Sequence, residues 1–427
     1  MGDFVTIDTA TGPVSARKNR VLTELSSTKQ NIMTRKKLTN HTDRASLALR
    51  NSTEVFVRVL ALEPFYGGSH KAFLDGWRAH SRHEFTVLGL SAHHWKWRMR
   101  HSAVTFSHLV DERVSSGGSW DVVFASDMLN LAEFRGLVQP SLRNLPTVLY
   151  FHENQLTYPS RTQDDRDLHL AYVNFTSAVA ADAIWFNSKF HRREFLEQYG
   201  QWLLQMPDHP HVDRLQSIER RASVRYPGIE PVGVAKGERN PEPVLIWPAR
   251  WEHDKNPELL AIAVQTLAEK SVPFRLRLLG KVFQTRPPAL ESLGERIGDR
   301  LIAAPPPESR EDYLRELQRG DIVISTADHE FFGLAVLEAL SAGCYPALPN
   351  RLAYPELIEH LAAAQSEAYL YDGTRRGLVE RLTLLIQRAA AGQLWQNGVN
   401  LAPRVDEEFG WEVRAQELDQ ALEVVAY

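Results

Sequence analysis

Residues 321–338 read DIVISTADHEFFGLAVLE, and the fold is decided by how this stretch is parsed. The run Asp321-Ile-Val-Ile-Ser-Thr326 is short and β-branched, and reads as a buried parallel strand. A polar turn follows, Ala327-Asp328-His329-Glu330. Over 331–342, Leu334, Leu337, Glu338 and Leu340 recur at helical spacing, and Gly343 is a stop signal. Strand, turn and helix in that order put Glu330 at the carboxyl end of a strand, where open α/β sheets bind ligands. Gly333 lets a ligand approach the backbone closely, and the free amides of a first helical turn attract anions. Glu338 lies eight residues after Glu330, so a second carboxylate addresses another part of the same ligand. This arrangement suits a nucleotide-sugar, with phosphate on the amides and hydroxyls on the carboxylates. The plainer alternative is a helix cap at Glu330 and a solvated Glu338. Strand, turn and glycine together favour the ligand.

Outward from this stretch, β-α-β alternation continues in both directions. Strands are expected at 55–62, 85–90, 121–125, 147–151 and 183–187, then at 244–247, 274–279, 344–348 and 369–371, with a short strand and Pro-rich loop over 301–307. Helices are expected at 71–80, 168–181, from Ser188 onward, and at 258–270, 309–319 and 379–391. The chain therefore divides into a basic disordered tail (1–53), a first domain (54–230), a Gly/Pro/charge-rich linker (231–243), a second domain (244–405) and a C-terminal helix (406–427) placed to cross back. Sustained alternation predicts an α/β protein of two doubly wound, parallel domains facing a cleft.

Composition narrows the function. With 427 residues, 43% hydrophobic and 24% charged, the chain has ample core for two domains. The net charge of −4 excludes a global attraction for polyanions, so contact with nucleic acid must come from a local patch. The single cysteine, Cys344, excludes an intramolecular disulfide and a cysteine zinc cluster, and points to a reducing compartment, the cytosol. No apolar run reaches transmembrane length, and the N-terminus lacks the apolar stretch of a secretory signal.

Four further segments carry chemistry. Glu63-Pro-Phe-Tyr-Gly-Gly-Ser-His70 is a turn between strand and helix in which Gly67 and Gly68 allow a phosphate close to the backbone. His93-His-Trp-Lys-Trp-Arg-Met-Arg-His101 interleaves Trp95 and Trp97 with Lys96, Arg98 and Arg100. It reads equally as a base-stacking and phosphate-holding patch or as an amphipathic segment with one aromatic face on the core. Residues 152–159, HENQLTYP, end a strand with a loop too polar for a plain connection. Arg250 and Lys255 follow the first strand of the second half, where a fork and a point charge would neutralise a diphosphate. Asp165-Arg-Asp167 is formally Asp-x-Asp but has no strand before it, and is discounted as a metal motif.

The Glu330 stretch resembles the nucleotide-sugar signature of retaining glycosyltransferases of the GT-B fold, family four. That resemblance implies Glu330 on the transferred sugar and Glu338 on the ribose, with Phe332, Gly333 and Leu334 between them. It also implies Arg250 and Lys255 on the donor pyrophosphate and His152 beside the anomeric carbon. The segments 64–70, 95–98 and 151–159 together are similar to the tRNA-queuosine mannosyltransferase group, over residues 55–425. The group's chemistry would be retaining transfer of mannose from GDP-mannose to queuosine in a tRNA, with no metal, cofactor or protein partner. His70, Trp95, Lys96, Trp97, Arg98, Arg100, Glu153, Asn154, Gln155 and Tyr158 would then face the acceptor. Rival readings are the same chemistry on a lipid or glycan, a non-catalytic tRNA-binding protein on this scaffold, and an epimerase of the same fold.

Overall fold

Two parallel sheets carry the structure, a computed structural model that describes residues 56–159, 167–235, 242–280, 287–302, 307–396 and 399–427. The segment 1–53, Asp165 and the middle of the 231–243 linker lie outside the described residues. In the first sheet, β1 (Arg58–Tyr66), β2 (Glu84–Ser91), β3 (Val122–Ser126), β4 (Thr147–Phe151), β5 (Ala183–Phe186) and β6 (Ala222–Val224) run in the order β2-β1-β3-β4-β5-β6. In the second, β7 (Val244–Trp247), β8 (Arg275–Leu278), β9 (Ile322–Ile324), β10 (Tyr345–Pro349) and β11 (Leu370–Tyr371) run β11-β10-β9-β7-β8. Every pairing is parallel. The inner strands β3, β4, β7, β9 and β10 are buried at every residue, as helices on both faces demand.

The order reverses between β1 and β3 in one sheet and between β7 and β9 in the other. At such a switch point the chain leaves adjacent strands in opposite directions and opens a crevice at their carboxyl ends. The loops after β1 and β3 thus meet in one crevice, and the loops after β7 and β9 in the other.

Local structure departs from the sequence expectation in four places. Strand β1 runs on to Tyr66, so Glu63 belongs to the strand, paired with Gly89 ahead of an irregularity. The helix expected at 331 begins at Leu334, because Gly333 at its N-cap holds φ +99°, which breaks the helix there. Residues 95–101 open a 21-residue helix, Trp95–Ser115, whose inner side carries Met99, Ala103, Phe106 and Val110. The strand expected at 301–307 is reduced to a single bridge at Leu301; residues 303–306 lie outside the described residues.

The helix Trp411–Ala426 covers the first sheet rather than the second. Its Trp411, Ala415, Leu418 and Leu422 pack with Phe73, Trp77, Tyr150 and Trp185. Asp419 fastens it there, accepting from Trp77 Nε1 at 2.7 Å, Ser81 Oγ at 2.7 Å and the Arg82 amide at 3.0 Å. Among the described residues no helix is long and apolar enough to cross a membrane. Asp419→Ala strands the buried Trp77 N–H and should destabilise the protein by about 1–3 kcal/mol, read as a lower urea midpoint.

Candidate active site

The wall contributed by the second sheet is organised by Lys255. The residue is only 9% exposed, and its ammonium lies 2.7 Å from the His329 carbonyl oxygen, 3.2 Å from Glu330 Oε2 and 3.2 Å from Asp254 Oδ2. Burial works against its charge, but Glu330 and Asp254 outweigh it, and the pKa is raised. The amides of Asp328 and His329 donate to the Asp254 carbonyl, and Thr326 Oγ1 to that of Lys255, so the loops after β7 and β9 are tied together. His329, pushed down to about 4 by burial and by Lys255, stands neutral beside Glu330. Arg250 is exposed and reaches the Tyr158 hydroxyl of the first domain at 3.2 Å.

Around the helix Leu334–Ser341 the residues separate. Gly333 is required twice over, by its φ of +99° and because a Cβ would lie 3.2 Å from the Tyr354 ring. Glu338 is nearly buried and paired with both terminal nitrogens of the Arg310 guanidinium, one of them at 3.2 Å. Phe332, expected at the donor, is a core side chain against Tyr226 and Phe409; only its backbone is left to face a ligand.

The first-domain wall is built at the β1/β3 switch point. Glu63 Oε2 pairs with His70 Nδ1 at 3.2 Å, and its Oε1 accepts from the Phe65 amide and Ser126 Oγ. Burial opposes the His70 charge, yet Glu63 outweighs it and holds the imidazolium up to about 9. The His70 ring stacks on that of His152, centroids 4.0 Å apart. Burial first, then the His70 cation, push His152 well below the ordinary histidine value. The His152 amide donates to Asp127 Oδ1 at 2.8 Å, and burial raises the Asp127 carboxyl well above the carboxylate range. Gly68 needs no side chain because its φ is +55°, and Gly67 because a Cβ would meet that of Ala92 at 2.4 Å.

Three residues expected at the acceptor are in fact interior. His70 is 5% exposed and reaches the cleft only through His152. Asn154 is fully buried, bonded to Thr157 and to His191 Nε2, and shapes the loop. Gln155 is buried too, donating to Glu153 Oε1 and, from its amide, to Asn174. Glu153 and Tyr158 are half-buried. The tryptophan segment divides: Trp95 packs on Met99, Met128 and Leu170, whereas Trp97 is 59% exposed and lies over His101. His94, Trp95, Lys96, Trp97 and Arg100 line an open hollow of about 390 Å³. Arg98 is turned onto Ser91 and His101, and Arg100 pairs with Asp167, which also caps the helix Leu168–Ala180.

The two domains are clasped beside the site. Glu356 of the second accepts from the amides of Lys189 and Phe190, at 2.7 and 2.8 Å, at the start of helix Lys189–Leu203 in the first. Ser188, the N-cap of that helix, donates to the Phe331 carbonyl at 2.6 Å, and His191 stacks on the Phe331 ring at 3.7 Å.

Glu63, His70 and His152 bring three ligand-type atoms within 4.8 Å of one another. They do not suit a metal ion. His70 Nδ1 is already engaged by Glu63, and in rings stacked at 32° the in-plane lone pairs cannot converge on one point. Sequence reasoning passed over Glu63, Asp127, His329, Arg310 and Glu356 as site residues. Only the first three carry a local signal, at strand ends or next to Glu330; the other two come together through the tertiary fold.

Residues 58–229 match the family profile described as tRNA-queuosine alpha-mannosyltransferase N-terminal, and residues 234–389 match Glycosyl transferases group 1. A Drosophila melanogaster protein named tRNA-queuosine alpha-mannosyltransferase is 40% identical over 311 residues, 70% of this chain and 81% of that protein. Among solved structures, sucrose-phosphate synthase from Thermosynechococcus elongatus superposes with a TM-score of 0.66 at 13% identity, covering 86% of this chain and 99% of that one. The Anabaena protein HepE in complex with UDP and glucose gives 0.59 at 14%, covering 86% and 100%. These likenesses establish the GT-B fold.

The histidines fix a pH dependence of stability. The raised His70 contributes fully below the unfolded value of 6.5, a contribution lost as pH rises through about 9. The lowered His329 contributes fully above 6.5, a contribution lost as pH falls through about 4, and His152 and His191 act in the same sense. Thermal melts should therefore peak near 6.5 and decline on both sides, and His70→Asn should flatten the alkaline decline.

Proposed function

The chain belongs to the tRNA-queuosine alpha-mannosyltransferase family, and on that premise we propose that it transfers mannose from GDP-mannose to the cyclopentenediol of queuosine in a tRNA, with retention, without a metal ion and in the cytosol. The observation that carries the reading is the Lys255–Glu330 pair at one switch point, with Arg250 of the same wall reaching Tyr158 of the loop that His152 opens. Arg250 and Lys255 meet the donor diphosphate and neutralise the charge that grows on it as it leaves. Glu330, its position fixed by Lys255, takes a hexose hydroxyl, and Glu338, oriented by Arg310, takes the ribose diol. The acceptor hydroxyl approaches on the face from which the diphosphate departs. Its oxygen bonds to the anomeric carbon, the bond from that carbon to the phosphate oxygen breaks, and the proton passes to a phosphate oxygen of the leaving group. Trp97, Lys96 and Arg100, exposed around one hollow, supply the local attraction for RNA that a net charge of −4 denies the whole chain.

Incubation with GDP-mannose and queuosine-containing tRNA, followed by nucleoside mass analysis, tests the reading; a nucleoside of unchanged mass would refute it. Activity should persist in EDTA, and loss restored by magnesium or manganese would refute the metal-free mechanism. Glu330→Ala should lower kcat by about 10²–10³. Trp97→Ala should weaken tRNA binding by about 1–3 kcal/mol with an unchanged melt, whereas Trp95→Ala should lower the melting temperature. Lys96→Ala and Arg100→Ala should each flatten the log–log salt slope by about 0.7–0.9.

A further inference from the structure

One buried cluster is left over by this chemistry. Glu63 and His70 touch no part of the cleft directly, yet an ion pair in a dry interior is costly unless it serves something. Its position is specific: Glu63 lies near the end of β1, Ser126 and Asp127 close β3, and His70 lies beneath His152, the histidine on the first-domain side of the cleft. We infer that Glu63 and His70 are positioning residues for glycosyl transfer, a buried ion pair that fixes the orientation and charge of the His152 ring stacked on it. This rests on the proposed function, in which His152 borders the transferred sugar.

Both halves of the inference stand on geometry. Orientation is over-determined. The His152 ring is packed between His70 at 4.0 Å, Tyr150 at 4.7 Å and Phe73 at 5.2 Å, with its amide held by Asp127 and its carbonyl by Asn187. Charge follows from the neighbours. The groups facing this pair of rings are Glu63 from β1, Asp127 after β3, Tyr150 on β4, Glu153 beside His152, and His191 from the helix Lys189–Leu203. Glu63 keeps the His70 proton in place, and that fixed cation discourages a second proton on His152. A neutral ring is what the chemistry needs. Positive charge grows on the sugar ring in an oxocarbenium-like transition state, and an imidazolium beside it would raise the barrier. The positive charge is instead held one ring back, against a carboxylate.

The test uses the full-length protein with its tRNA and sugar nucleotide. Glu63→Gln preserves the acceptor for the Phe65 amide and Ser126 while removing the charge. His70, left with burial and without its main counter-charge, should then lose its proton far more readily, and His152 should take one up more readily. The acid limb of the kcat–pH profile should move towards neutrality, and each unit of that shift lowers kcat about tenfold below the limb. The KM for tRNA should stay unchanged. A folded variant with an unmoved acid limb overturns the inference, because a merely structural role would lower activity without shifting it. Histidine NMR titration of the wild-type protein decides the matter even if the variant fails to fold: His70 should titrate near 9, and a value near 6.5 overturns the inference. If the wild-type protein transfers no sugar to queuosine tRNA, the proposed function fails, while the NMR result still reports on the ion pair.

Discussion

The charge of a buried lysine must be compensated by its neighbours, and Lys255 organises much of the second domain's crevice by that requirement. Three acceptors surround it, and two of them, the His329 carbonyl and Glu330, come from the loop after β9 rather than from its own loop after β7. The charge therefore holds two loops at one switch point in fixed register. It also aims Glu330, which stays half-open to the cleft. Losing Lys255 would remove a cation from the site and also leave Asp254, already short of partners, buried without compensation.

The first domain solves the mirror problem with the signs arranged differently. There the interior member is a carboxylate, Glu63, and the charge nearest the cleft is stopped at His70. The two crevices thus carry unlike groups, Arg250 and Lys255 with their paired carboxylates in one and a neutral imidazole in the other. Such a division suits a donor whose leaving group is anionic and whose sugar becomes cationic. Glu356 and Ser188 hold these faces opposite one another by bonding backbone groups, which fixes the approach of the main chains independently of side-chain rotamers.

The architecture and the second-domain half of the site were legible in the sequence for one reason. A parallel sheet buried on both faces writes unbroken apolar strands, and the residue after such a strand lies where ligands bind. Glu330, Arg250, Lys255 and His152 all follow a strand in that way. The Trp95/Trp97 ambiguity was soluble too. Extending the pattern through Met99, Ala103, Phe106 and Val110 puts Trp95 on the inner side of a helix and Trp97 on the outer. Arg310 on Glu338 and Glu356 on the Lys189 amide were not legible, since they join residues 28 and 167 positions apart with no local pattern to mark them. His70 was misplaced because the irregular end of β1 hides where the strand stops, and with it which way the next turn faces.

The closing helix has a consequence for how this chain is made. Its Trp411, Leu418 and Leu422 complete the aromatic face of the first sheet, but they leave the ribosome only after the second domain. From the moment β6 is finished until that helix emerges, the whole second domain is still being translated, about 10–40 s at ordinary elongation rates. Through that interval Phe73, Trp77 and Trp185 lack their permanent cover. A truncation ahead of residue 411 would leave that aromatic face without its cover.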